Sequence, residues 1–176
     1  KGLGTIPHAL IAAYRGDTLA ATEAFDRHID SSVNRVALVD FDNDCVRTAL
    51  EVARKFGSQL YGVRLDTADT LVDVSVLPHM GTFKPTGVCP CLVRNVRKAL
   101  DDEGYNHVKI MVSGGFTAER IQAFEAEKAP VDVYAVGASL FTDSVNFTAD
   151  IVAIDGKPCA KAGRHFRDNP RLLPVE

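Results

Sequence analysis

The segment VKIMVSGGFTAERI, residues 108–121, decides the fold class. Its first half is an apolar, β-branched run of the length typical of a buried strand, and its second half has the spacing of an amphipathic helix. Two glycines join the halves, and Thr117 stands where that helix would take its N-cap. A strand that turns directly into a helix is the repeating unit of parallel α/β folds.

The same order recurs on both sides of this segment. Further buried strands are predicted at residues 36–41, 60–65 and 131–139. Helices are predicted at residues 18–29, 45–56, 90–104 and 117–128. Strand and helix therefore alternate along the chain, which predicts parallel strands in an α/β sheet.

The pattern changes after residue 139. Two short extended runs flank Asp155 and Gly156, a pair typical of a hairpin turn, and a polar tail follows them. We therefore divide the chain into an α/β part, residues 1–148, and a C-terminal hairpin and tail, residues 149–176. Four predicted strands are too few for a closed (β/α)8 barrel of about 250 residues, so they form either an open sheet or part of a larger barrel.

Composition and charge argue against several classes of protein. The 176 residues are 46% hydrophobic, as in a globular domain with a substantial core. The net charge is -3 and the 20 basic residues are scattered, which argues against nucleic acid as a partner. No apolar run approaches the roughly 20 residues that span a bilayer, so we expect a cytoplasmic protein without a membrane partner. Cys89 and Cys91 lack the second pair that a tetrahedral zinc site needs.

Charged residues gather where the first two predicted strands end. In parallel α/β folds, ligands bind at these carboxyl ends. The residues are Asp40, Asp42 and Asp44 after one strand, and Arg64, Asp66 and Asp69 after the next. An arginine offers a planar fork to carboxylate or phosphate, and aspartates accept hydrogen bonds from sugar hydroxyls or hold hydrated Mg²⁺. A salt bridge within the loop remains the alternative.

Two glycine turns follow the other two predicted strands. Ser113, Gly114 and Gly115 end one strand, and Gly137 with Ala138 lies near the end of the other. Glycine lets backbone N–H groups at the start of a helix approach a phosphate closely. Glycine turns after consecutive strands form a common phosphate site in barrels, so the pair predicts phosphate binding, with simple tight turns as the alternative.

One histidine, His8, stands in the distinctive motif GTIPHAL. Imidazole acts as a nucleophile toward phosphoryl groups. From the residues alone, a histidine that faces solvent or caps a helix is the competing interpretation. The other four histidines have no supporting pattern.

Five motifs in this order resemble the nicotinate phosphoribosyltransferases, which are type II phosphoribosyltransferases: GTIPHAL, LVDFDND, GVRLDTAD, KIMVSGGFTAERI and YAVGASLF. The resemblance runs from residue 4 to about residue 167 and matches the C-terminal portion of the family. It implies part of an irregular, TIM-like α/β barrel. It also implies that nicotinate and 5-phosphoribosyl-1-pyrophosphate form nicotinate mononucleotide and pyrophosphate with ATP hydrolysis, in NAD biosynthesis.

The resemblance also assigns roles to residues of this chain. His8 matches the histidine that ATP phosphorylates, and Asp40, Arg64 and Asp66 match catalytic polar residues around the pyridine and ribose. The substrate and phosphate-binding residues that it implies are Thr5, Asp69, Ser113, Gly114, Gly115, Gly137 and Ala138. Mg²⁺ is expected as a cofactor, with Asp66 and Asp69 as its candidate ligands, and ATP as a co-substrate.

The family works as a homodimer and has an N-terminal portion that these motifs do not cover. That portion supplies aromatic residues around the pyridine ring, so we expect the isolated chain to be inactive and to need a partner polypeptide. A nicotinamide or quinolinate phosphoribosyltransferase and a non-catalytic nucleotide-binding fragment remain alternative functions.

Overall fold

The computed structural model describes residues 5–140 and 149–170. The helices are α1 (His8–Ala13), α2 (Thr18–His28), α3 (Cys45–Phe56), α4 (Pro90–Asp102) and α5 (Ala118–Ala126). The strands are β1 (Arg35–Leu38), β2 (Leu60–Leu65), β3 (Lys109–Val112), β4 (Val133–Tyr134), β5 (Ala153–Ile154) and β6 (Lys157–Pro158). Single 3₁₀ turns occur at Gly57–Gln59, Leu77–His79 and Ala138–Leu140.

The first four strands form one parallel sheet in the order β1-β2-β3-β4. Leu38 lies opposite Arg64, and Leu65 lies opposite Val112, so neighbouring strands end at nearly the same height. Strands β5 and β6 pair separately as an antiparallel hairpin. The predicted parallel α/β sheet and C-terminal hairpin are confirmed. The sheet is open within the described residues, and closure into a barrel stays a prediction.

The main core lies between the sheet and helices α3 and α4. In α3 the buried positions recur every three or four residues, at Cys45, Thr48, Ala49, Val52, Ala53 and Phe56. In α4 they are Leu92, Val93, Val96 and Leu100. Each fully buried aliphatic side chain contributes about 1.5–3 kcal/mol, which explains why these two stripes fix both helices on the sheet.

A smaller core lies beside β1. Ile6, Ile11 and Phe41 form it with other buried residues, and Ile154 and Cys159 of the C-terminal segment pack against it. The backbone N–H of Ala162 also donates to the carbonyl of Phe41 at 2.7 Å. The C-terminal segment is therefore anchored where β1 ends. The division proposed at residues 148 and 149 adjoins residues 141–148, which lie outside the described part.

Helix α3 and strand β2 have the predicted bounds, whereas β1 and β4 are shorter than predicted. Helix α1 was not predicted, because six residues are too few to show a helical period. His8 is the first residue of this helix, and Pro7 is its N-cap. In residues 5–140 and 149–170 we find no helix with the length and apolar character of a membrane span.

Candidate active site

The carboxyl ends of β1, β2 and β3 place three polar residues at one edge of the sheet. The N–H of Val39 donates to the carbonyl of Arg64 at 3.1 Å, which extends the β1–β2 ladder beyond β1. The N–H of Ser113 donates to the carbonyl of Leu65 at 2.9 Å, which extends the β2–β3 ladder. Asp40, Asp66 and Ser113 follow directly, so the predicted gathering of polar residues at strand ends is observed for these three.

His8 reaches the same edge from the first turn of α1. The N–H of Ile6 donates to the carbonyl of Val36 at 3.4 Å, which holds the residues before α1 alongside β1. His8 Nε2 then lies 3.0 Å from Asp40 Oδ1, and Nδ1 lies 3.9 Å from Asp66 Oδ2. The imidazole is 19% exposed, so it lies between two carboxylates, is hydrogen-bonded to Asp40 and is still partly open to solvent.

A lysine that the sequence analysis did not single out completes this group. Lys161 Nζ lies 2.5 Å from Asp40 Oδ2 and donates to the carbonyl of Asp66 at 2.6 Å. It comes from the C-terminal segment, 95 residues from Asp66, and no motif or spacing marks it. We call His8, Asp40, Asp66 and Lys161 the histidine cluster.

Asp40 is the buried centre of the histidine cluster, with 1% of its surface exposed. Burial alone would raise the pKa of its carboxyl, but the hydrogen bond with His8 and the charge of Lys161 outweigh burial, so the pKa is lowered. Asp40 is therefore a carboxylate that accepts hydrogen bonds. Its buried position limits its partners to the hydrogen bond with His8 and the ion pair with Lys161.

Arg64 lies behind the histidine cluster on β2. Its Nη2 donates to the carbonyl of Ile6 at 3.3 Å, and its Nε is buried without a hydrogen-bond partner among the described residues. Arg64 also lines a cavity of about 280 Å³ together with His8, Phe41 and Lys161. Buried donors in folded proteins are nearly always paired, so the unpaired Nε and the cavity together make Arg64 a candidate binding residue.

Ser113, Gly114 and Gly115 form what we call the glycine turn. Ser113 Oγ donates to Asp66 Oδ1 at 2.8 Å, which joins the turn directly to the histidine cluster. Gly114 and Gly115 have φ of +90° and +70°, a left-handed backbone that glycine adopts without strain. A Cβ on Gly114 would lie 3.2 Å from Asp66 Oδ1, so a side chain there would press on the cluster.

Helix α5 begins directly after the glycine turn. Thr117 is the predicted N-cap, and its side chain accepts from the N–H of Arg120 at 3.3 Å. Arg120 in turn donates to the carbonyl of Gly114 at 2.6 Å and lies 4.4 Å above the ring of Phe116. These contacts fix the glycine turn at the N-terminus of α5. Helix N-termini favour anion binding, because their free N–H groups and the helix dipole both attract negative charge.

The remaining predicted residues lie apart from the histidine cluster. Asp44 caps α3, and Asp42 forms an ion pair with Arg47. Asp69 is exposed, and its carboxylate lies 3.9 Å from Arg120. Thr5 and Gly137 form no hydrogen bond or ion pair with the cluster within the described residues. Near Gly137, Ser139 Oγ donates to the carbonyl of Phe116 at 2.8 Å. Ala138 begins a 3₁₀ turn next to Gly137.

The donor atoms that could hold a metal do not include Asp69. Ligand atoms of His8, Asp40 and Asp66 lie within 4.8 Å of one another, the single such group in the described part of the chain. The ammonium of Lys161 contacts Asp40 and lies 3.9 Å from Asp66 Oδ2, so a cation is already present among these carboxylates. The donor set therefore does not fit a Mg²⁺ ion held by the protein alone.

A second cavity, of about 510 Å³, lies beside α4 and α5. Its lining includes Asp69 and Arg120 with residues from α4, α5 and the loop before α4. Arg94, Arg120 and Glu127 at this cavity are all engaged in hydrogen bonds. It does not contain the histidine cluster.

Comparisons with known proteins agree with the predicted resemblance. The nicotinate phosphoribosyltransferase of Bacillus subtilis is 30% identical over 145 residues, which are 79% of this chain and 25% of that protein. A nicotinate phosphoribosyltransferase of Mycobacterium tuberculosis is 28% identical over 175 residues, 95% of this chain and 34% of that protein. This chain thus spans about a quarter to a third of the length of these relatives. No protein-family model matches it.

Two solved structures are similar to this one. The crystal structure of nicotinate-nucleotide pyrophosphorylase from Pyrococcus furiosus has a TM-score of 0.65 and 36% identity, and the match covers 94% of this chain and 38% of that one. The crystal structure of nicotinate phosphoribosyltransferase from Porphyromonas gingivalis has a TM-score of 0.54 and 16% identity, covering 83% and 35% of the two chains. The second match, at this low identity, concerns the fold alone.

Proposed function

Because this chain is a relative of the nicotinate phosphoribosyltransferases over most of its length, we propose that it is the part of such an enzyme that carries a phosphorylatable histidine and binds the pyridine nucleotide. The enzyme would join nicotinate to 5-phosphoribosyl-1-pyrophosphate, releasing pyrophosphate, in NAD biosynthesis. One observation supports the proposal above others. The histidine cluster and the glycine turn share Asp66, which contacts both His8 and Ser113.

The proposed role of His8 follows from the two different nitrogens of its ring. Nε2 faces the carboxylate of Asp40, so it carries the proton, and Nδ1 retains a lone pair. Nδ1 would attack the γ-phosphorus of ATP, the bond from phosphorus to the bridging oxygen would break, and ADP would leave. The positive charge that develops on the ring is stabilised by Asp40. Hydrolysis of the phosphohistidine by water then returns phosphate and free His8.

The glycine turn is the proposed site of the nucleotide 5′-phosphate. Among the described residues no acceptor takes a hydrogen bond from the N–H groups of Gly114 and Gly115. These donors stand beside the N-terminus of α5, where the helix dipole favours a dianion. We propose that Gly137 and Ala138, after the neighbouring strand, contribute to the same phosphate site.

Arg64 and Asp66 are proposed to bind the rest of the nucleotide. Asp66 is partly exposed beside the glycine turn, within reach of a ribose whose phosphate occupies that turn. Arg64 borders the cavity at His8 with an unpaired Nε, which suits the carboxylate of nicotinate. Asp40 is too buried for the ribose contact that the family resemblance implies, so we propose that it acts on His8.

We propose that Mg²⁺ enters with the phosphates of ATP and 5-phosphoribosyl-1-pyrophosphate. Mg²⁺ keeps several waters and commonly binds through substrate phosphates, and Lys161 already neutralises the carboxylates here. Bound this way, the ion would neutralise the departing pyrophosphate. Asp69 and Thr5 are proposed to contact substrate only when the rest of the enzyme is present.

The remaining parts of such an enzyme would come from outside residues 1–176. We propose that residues 1–148 contribute parallel strands to an irregular barrel, that residues 149–176 form a hairpin and tail upon it, and that the assembly is a cytoplasmic homodimer. The isolated chain would then bind nucleotide but not turn over nicotinate. Turnover by the purified chain, lost in His8→Ala, would contradict this and also exclude a non-catalytic fragment.

The role of His8 is tested by phosphate transfer from ATP. The chain is incubated with ATP labelled at the γ-phosphate, and acid-labile, alkali-stable label is measured. We expect label on the native chain and on His107→Asn, whose ring is exposed and bonded to the carbonyl of Gly57. His8→Asn should carry none. Label retained in His8→Asn, or none on the native chain, contradicts the proposal, and label on His8 argues against a quinolinate enzyme.

The phosphate site is tested by titration with nicotinate mononucleotide. Gly115→Val places a branched side chain on a left-handed backbone at φ +70° and blocks close approach of the phosphate. We expect weaker binding, measured by calorimetry on the folded variant. Unchanged affinity of Gly115→Val would show that the glycine turn is not part of the site. If the native chain bound nicotinamide mononucleotide more strongly than nicotinate mononucleotide, the nicotinamide enzyme would be favoured.

A further inference from the structure

Lys161 is a buried cation at the centre of the histidine cluster. It is 6% exposed, and its ammonium faces three oxygen atoms: Asp40 Oδ2 at 2.5 Å, the Asp66 carbonyl at 2.6 Å and Asp66 Oδ2 at 3.9 Å. The ammonium therefore donates to the Asp66 carbonyl, forms a close ion pair with Asp40 and has the Asp66 carboxylate nearby. Removing such an ion from water costs several kcal/mol, so its place needs a reason beyond packing.

The backbone around Lys161 is fixed at the same edge of the sheet. Ala162 donates to the carbonyl of Phe41 at 2.7 Å, and Arg164 donates to the carbonyl of Lys161 at 3.0 Å. Cys159 Sγ lies 3.5 Å from the carbonyl of Ala12, at the end of α1. The lysine is thus held between α1 and the ends of β1 and β2.

We infer that Lys161 is a positioning residue for His8: it holds Oδ2 of Asp40, so that Oδ1 accepts from Nε2 and the ring keeps Nδ1 unprotonated. This inference rests on the proposed role of His8 as the phosphate acceptor. A carboxylate only accepts hydrogen bonds, so His8 Nε2 must donate to it, and a neutral imidazole has a single N–H. The lone pair on Nδ1 is then a consequence of the contact between Lys161 and Asp40.

The other groups around Asp40 do not replace Lys161. The thiol of Cys45 is buried, and burial raises its pKa well above the usual value, so it stays uncharged. Asp66 is itself negative and faces Nδ1 at 3.9 Å. Without Lys161, Asp40 would be a buried carboxylate with a single donor, and taking up a proton would reverse its hydrogen bond with His8.

The tautomer of His8 is measurable without any activity. The chain is labelled with ¹⁵N-histidine, the ring resonances of His8 are assigned with His8→Asn, and two-bond proton–nitrogen correlations show which nitrogen is protonated. In the native chain we expect the proton on Nε2. A proton on Nδ1 in the neutral ring overturns the inference.

The dependence on Lys161 is tested with Lys161→Met, which keeps the apolar stem and removes the charge. We expect the neutral ring of His8 to lose its single tautomer, as a shift of the Nδ1 and Nε2 resonances. Lys157→Met, at an exposed position of the same C-terminal segment, should leave them unchanged. Native resonances in folded Lys161→Met overturn the inference.

Rescue by a small amine separates positioning from packing. Lys161→Ala removes the propylammonium portion of the side chain, and added propylammonium should restore the native resonances of His8. 1-Propanol has the same size but no charge. Restoration of the native resonances by 1-propanol would overturn the role of the charge. Failure of His8 to accept phosphate from ATP would contradict the proposed function and leave these tautomer results standing, so the two failures are distinguishable.

Discussion

The histidine cluster and the glycine turn lie side by side but are assembled in different ways. The cluster joins side chains from α1, two strand ends and the C-terminal segment through buried ionic contacts. The glycine turn is one contiguous piece of backbone between β3 and α5. The first depends on distant parts of the chain meeting, and the second depends on local conformation. Mutations should therefore affect the two regions by different amounts and in different ways.

The largest effect is expected from Asp40→Ala. It leaves Lys161 as a buried ammonium without its carboxylate, and breaking a buried pair in this way costs about 3–5 kcal/mol. The free energy of unfolding, measured in urea, should fall by that amount, and His8 should no longer take phosphate from ATP. Asp102→Asn is the control, because its ion pair with Lys98 is exposed and worth about 0–1 kcal/mol. Equal losses in both variants would contradict the description of the cluster.

The stabilisation by Asp40 should also depend on pH. The pKa of its carboxyl is lowered from 3.8 in the folded chain, because His8 and Lys161 outweigh the opposing effect of burial. The ionised form therefore stabilises the fold above pH 3.8, and this contribution is lost as the pH falls through the folded pKa. We expect the stability difference between the native chain and Asp40→Asn to shrink below pH 3.8. A stability difference that grows on acidification would contradict the prediction that ionised Asp40 stabilises the fold.

A smaller effect is expected at the glycine turn. Gly114→Ala forces an L-residue into a left-handed backbone at about 1–2 kcal/mol, and its Cβ presses on Asp66. Gly104→Ala has the same kind of strain at φ +82° with open space around it. Both should lose stability in urea, and Gly114→Ala should lose more because of its contact with Asp66. Only Gly114→Ala should weaken binding of nicotinate mononucleotide, and equal binding by the two variants would separate the turn from the site.

The contrast between the two regions also explains what the sequence could predict. The glycine turn, the Thr117 cap and the bounds of α3 and β2 are encoded in contiguous residues, so local patterns predicted them. Asp40 and Asp66 were predicted because parallel strands end at one edge of the sheet. Their partners were harder to foresee, since Asp40 contacts His8 at a sequence separation of 32.

Lys161 could not be predicted from any local pattern. Its place depends on the C-terminal segment folding back onto the end of β1, where Ile154 and Cys159 pack against the smaller core. A lysine in a polar tail is usually exposed to solvent. Burial of Lys161 is stable because its ammonium contacts Asp40 and Asp66 at the strand ends. The position of Asp69 apart from the cluster could not be predicted either, because it depends on the loop that places its carboxylate near Arg120.

The smallest effect is expected from Thr117→Ala, at the boundary between the glycine turn and α5. The hydroxyl accepts from the N–H of Arg120, and losing such a cap costs about 1 kcal/mol. Arg120 also donates to the carbonyl of Gly114, so fraying of the first helical turn should loosen the glycine turn and weaken nucleotide binding slightly. Thr117→Ser keeps the hydroxyl and should retain native stability and binding. The His8 ring resonances should stay native in both variants, because the cap supports only the local backbone. A change in these resonances would show that the glycine turn and the histidine cluster are coupled more tightly than their shared contact at Asp66 implies.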